Sequence, residues 1–76
     1  MKMIATEAIK AIMSKQGVKG AALADRIKVK YGTLRERLTQ KNVSIGKLEE
    51  MARALDYKVL LVPRDTKLPD GGYEIE

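Results

Sequence analysis

Seventy-six residues suffice for one small domain, which buries only about 60 % of its unfolded surface. The chain has no cysteine, histidine, phenylalanine or tryptophan. That excludes disulfides, thiolate and imidazole metal sites and a histidine general base, and leaves the core to Ile, Leu, Val, Met and Ala.

The net charge of +5 is unevenly placed. Residues 1–64 hold 14 Lys/Arg against 6 Asp/Glu, or +8, whereas residues 65–76 set Lys67 against Asp65, Asp70, Glu74 and Glu76, or −3. A basic body suits a polyanionic partner, although solubilising charge alone gives the same count. No run approaches the ~18 apolar residues of a membrane span, and a signal-peptide apolar region is lacking, so a cytoplasmic protein is expected. A core this modest favours association with a second copy.

From Met3 to Lys15, Ile4, Ala5, Ala8, Ile9, Ile12 and Met13 recur at helical spacing, with Lys10 and Lys15 opposite. Gly17 is expected to end this helix in the left-handed conformation. The helix roofs the core and is assigned no chemistry. A second helix begins near Gly20, a tolerable but weak N-cap. Leu23, Ala24 and Ile27 form its apolar stripe, Val29 plugs the turn that follows, and Leu34 and Leu38 anchor a third helix. The outward positions are Lys28, Lys30, Tyr31, Gly32, Arg35 and Glu36, a mostly basic and hydrogen-bonding set. A packed corner holding a basic helix outward is the geometry of a helix-turn-helix, whose second helix can enter the DNA major groove.

Thr39 to Val43 is polar and turn-like, and Ser44 is a good N-cap. Ile45, Leu48, Met51, Ala52 and Leu55 give an amphipathic helix closing on Asp56-Tyr57, with Glu49 and Arg53 as an i, i+4 ion pair. Then the period changes. Lys58 to Val62 reads as a strand ended by Pro63, apolar on both faces through Val59, Leu60, Leu61 and Val62. Leu68 to Gly72 is a turn signal, and Tyr73 to Glu76 alternates as an edge strand.

A lone strand cannot satisfy its backbone or cover two apolar faces. It can pair with Tyr73–Ile75 as a hairpin, with the same strand of a second subunit, or with both, or it can fold back over its own helices. The small helical body favours the intersubunit version, which makes Val59, Leu60, Leu61 and Val62 dimerisation residues. Residues 1–57 are thus read as the helical domain and 58–76 as a β extension of the same compact unit. The expected class is mainly α, with four to five helices.

This element order, over about residues 4–57, resembles the Cro/C1-type (XRE) phage repressors. Leu23-Ala24, Ile27, Val29 and Leu34 match that family's apolar pattern, and Met51, Ala52 and Leu55 are similar to its "LAKAL" close. Lys28 stands where the family usually has the turn glycine, and Gly20 replaces its usual Gln or Thr. The Glu-x-Gly that often follows the third helix is replaced by Thr39-Gln40-Lys41-Asn42. The strand after residue 57 looks like the one with which persistence-type antitoxins and small phage or plasmid regulators build a sheet across their dimer.

The resemblance implies a homodimeric transcriptional regulator, a repressor on a palindromic site in double-stranded DNA, with no cofactor. By position in such a complex, Tyr31, Gly32, Thr33, Arg35 and Glu36 read base edges. Arg35 is the strongest, since a guanidinium pairs bidentately with guanine O6 and N7. Tyr31 touches a thymine methyl or a phosphate, or packs on the turn; Thr33 reads, caps or packs. Lys19, Lys28, Lys30, Lys41 and Asn42 face phosphates. Arg37 pairs with a carboxylate or lines the phosphate path.

An enzyme is not expected. Ser14 and Ser44 have no histidine base, no glycine-rich phosphate loop exists, and Asp25 and Glu36 sit among basic residues. The main rival is a protein-binding module, an antitoxin or phage adaptor gripping another protein through its helices or Tyr57–Val62. A C-terminal hairpin acting as a DNA-touching wing is opposed by the tail's charge of −3.

Overall fold

A computed structural model describes residues 2–76. Among them the order is β1 (Lys2–Met3), α1 (Ala5–Gln16), α2 (Gly20–Arg26), α3 (Tyr31–Thr39), α4 (Ile45–Ala54) and β2 (Glu74–Ile75). The chain is therefore mainly helical, with four helices among the described residues.

Three of the helices close by one device. Val18 N–H donates to Met13 O at 2.9 Å, Val29 N–H to Ala24 O at 3.0 Å, and Tyr57 N–H to Ala52 O at 2.8 Å. The residue before each donor is left-handed: Gly17 at φ 69°, Lys28 at 59° and Asp56 at 64°. The donor residue itself packs half-buried on the core. Such a closure satisfies the last carbonyls and turns the chain inward on an apolar contact. It sends α1, α2 and α4 each back towards the same centre.

That centre holds Ile9, Ile12 and Met13 of α1, Leu23, Ala24 and Ile27 at α2, Leu34 of α3, and Leu48, Met51, Ala52 and Leu55 of α4. Polar side chains tie the helix ends across it. Thr6 Oγ1 donates to Gln40 O at 2.9 Å, fixing α1 to the end of α3. Gln16 Nε2 reaches Leu55 O at 2.8 Å, and Arg26 Nη1 reaches Ala54 O at 3.1 Å. Each covers a carbonyl near a helix terminus, where backbone acceptors lack helical partners. The α2–α3 corner is thus tied to α1 and α4 from outside itself.

The C-terminal expectation needs correction. Residues 58–62 form no strand. Val59 is half-buried against the core, but Leu60, Leu61 and Val62 are 62 %, 96 % and 52 % exposed. Nor does the tail form a hairpin or wing with them: β2 runs parallel to β1, Lys2 opposite Glu74 and Met3 opposite Ile75. Tyr57 explains the path. Its hydroxyl donates to Gly71 O at 2.8 Å, and its ring lies 6.2 Å from that of Tyr73. The returning tail is pinned there and led to the N-terminal backbone, leaving residues 58–70 without a partner strand in their own chain. Ile45 also departs from expectation: it opens α4 at 68 % exposure instead of joining the apolar stripe.

Candidate functional site

Leu34 is buried and Leu38 half-buried, and both pack on the core. With these two leucines inward, one turn apart, the intervening side chains of α3 must point out. Tyr31, Gly32, Thr33, Arg35 and Glu36 are all exposed. So are Lys19, Lys28, Lys30, Lys41 and Asn42 in the flanking turns. Thr33 therefore does not pack.

Two of these residues are brought together. The Arg35 guanidinium carbon lies over the Tyr31 ring, 5.8 Å from its centroid. Tyr31 packs not on the turn but against α2, its Cε1 edge facing Gly20. Around them opens a shallow depression floored by Met13, Leu34 and Leu38 and rimmed by Lys10, Arg35 and Thr39.

The sequence pattern gives Lys10 no role at this face. Only the packing of α1 across α3 brings it to the depression that Arg35 lines, and no local pattern announces that. Gly20 was read as a weak cap, and its contact with Tyr31 likewise crosses between elements.

Other residues stand apart. Lys28 borders a separate hollow at the α2–α4 seam, with Arg26, Glu50 and Arg53. Arg37 is taken up by an ion pair with Glu50 at 2.6 Å, its side chain only 13 % exposed. That pairing is the first of the two roles expected for it.

No family model, curated protein or solved structure matches this chain. What the face can do rests on its own residues. Lys19 and Lys30 are the N-cap residues of α2 and α3, and neither helix has a side-chain cap. By contrast, at the start of α4 Ser44 Oγ accepts from Lys47 N–H at 3.3 Å. The two helices of the corner thus begin with open N–H groups beside a lysine, a positive concentration of dipole and charge. Such a surface attracts anions and can order planar acceptors against Arg35. Among the described residues no cluster of His, Cys, Asp or Glu could hold a metal ion, and no helix is long and apolar enough to cross a membrane.

Proposed function

We propose that the chain is a sequence-specific DNA-binding transcriptional regulator of the Cro/C1-type helix-turn-helix class, acting as a repressor. Its third helix enters the major groove of a palindromic site. The observation that carries the reading is the outward face of α3, where five polar or small residues are exposed together while Leu34 and Leu38 hold the helix from behind. Arg35 reads guanine, and Gly32, Thr33 and Glu36 are further base-edge candidates. Lys19, Lys30, Lys41 and Asn42 take phosphates, with Lys28 as a more lateral contact.

Homodimerisation goes with this reading. Residues 58–62 offer backbone outside any helix or strand and exposed Leu60, Leu61 and Val62, which an equivalent segment of a second copy would cover. The same exposure also favours a second reading, in which this segment grips a different protein, as an antitoxin or phage adaptor would. The two are compatible in one molecule.

A gel-shift titration with a random-sequence duplex tests the first reading. Retardation at low salt that weakens steeply as salt rises is expected, since each neutralised phosphate contributes about 0.9 to the logarithmic slope. A folded sample that retards no duplex at low salt would contradict it.

A further inference from the structure

We infer that Gly20, Tyr31 and Arg35 act as one unit that sets specificity for guanine, and that Tyr31 is its positioning residue rather than a base contact. The inference rests on the DNA-binding reading above. It begins from a glycine whose backbone does not call for one. Gly20 is the first residue of α2 and not in the left-handed region, so its backbone conformation is open to any residue. Space explains it. A Cβ there would lie 2.7 Å from Tyr31 Cε1 and 3.6 Å from both Cδ1 and Cζ, so the ring comes in edge-first.

With its edge lodged against α2, the ring has a face left for Arg35, one turn later on α3. The guanidinium carbon stands 5.8 Å from the ring centroid, within cation–π range. An arginine stacked in this way is already oriented, so it surrenders less side-chain freedom when it pairs with a base. Tyr31 is half-exposed, with one ring edge at Gly20 and one face under Arg35. Adding a methyl to Gly20 would displace the ring and, through it, the base-reading group, without touching DNA.

The test starts from a duplex pool with a randomised core, from which the wild type selects a sequence. Affinities for that sequence and a scrambled duplex of equal composition are then compared at fixed salt. Arg35→Ala, Tyr31→Ala and Gly20→Ala should each cut the preference about tenfold, the low end of one bidentate base contact. Affinity for the scrambled duplex should hold. Tyr31→Phe, which keeps the ring, should retain the preference. In the free protein, the Arg35 Nε–H proton should carry a ring-current shift that persists in Tyr31→Phe and shrinks in Gly20→Ala. The thermal midpoint of Gly20→Ala, at or above wild type, would separate this effect from unfolding.

Gly20→Ala with undiminished preference would overturn the unit while leaving the DNA reading intact. So would Tyr31→Phe losing as much as Tyr31→Ala, because the hydroxyl would then be the reader. Failure of the wild type to enrich any sequence would overturn the DNA reading itself, and the guanine assignment with it.

Discussion

Lys28 is held at φ 59° between α2 and α3, where a side chain is strained and glycine is not. Lys28→Gly should therefore stabilise the fold, by up to about 1 kcal/mol after glycine's greater unfolded entropy is set against the relieved strain. Urea unfolding measures the gain; a loss would mean that the lysine stem holds the α2–α4 seam. Arg35 and Lys30 should differ in kind. Arg35→Ala should cost about 1–3 kcal/mol on a preferred site only. Lys30→Ala should weaken all duplexes alike and lower the salt slope by about one phosphate's share. Identical effects of both on specific and random DNA would remove Arg35 from the base-reading set. At this scale the outward face was legible, because the spacing of Leu34 and Leu38 dictates which neighbours face solvent. The places of Lys10 and Gly20 were not, since each depends on a contact with an element distant in sequence. The left-handed turn at Lys28 was signalled only by the resemblance, which has a glycine there, and that at Asp56 only weakly by its residue type.

The helices were legible as elements because apolar periodicity and termini agreed. Ser44 caps α4 as its type predicts, and Arg53 Nη2 meets the Glu49 carboxylate at 2.6 Å. Ser44→Ala should destabilise by about 1 kcal/mol. Thermal unfolding at low salt would show it, and an unchanged midpoint would mean that α4 is fixed by Leu48, Met51 and Leu55 alone. The Glu49–Arg53 pair, being exposed, is worth only a few tenths of a kcal/mol. The strand over 58–62 was misread for a definable reason. Composition signals strand preference, but a strand exists only where a neighbouring backbone accepts its hydrogen bonds. In the single chain that neighbour is missing, because Tyr57 and Tyr73 steer the tail to Lys2–Met3 instead.

For the whole molecule, the question is what covers Leu60, Leu61 and Val62. A symmetric pair of these segments would carry two third helices on one side, about one DNA turn (~34 Å) apart, against a palindrome. Leu60 is 62 % exposed in the single chain, so Leu60→Glu should leave the helical fold intact. It should nonetheless shift sedimentation from dimer to monomer and weaken palindrome binding, since linkage of two half-sites supplies much of the affinity. A wild-type monomer at tens of micromolar that still binds a palindrome tightly would contradict the pairing. The central claim, that the α3 corner is a DNA surface, is tested most directly by titrating isotope-labelled protein with a short random duplex at low salt while following its backbone amides by NMR. The account predicts shifts concentrated at Lys19, at residues 30–36 and at Lys41 and Asn42, with residues 58–76 largely unmoved. Shifts confined to residues 58–76, or none at all from a folded sample, would contradict it.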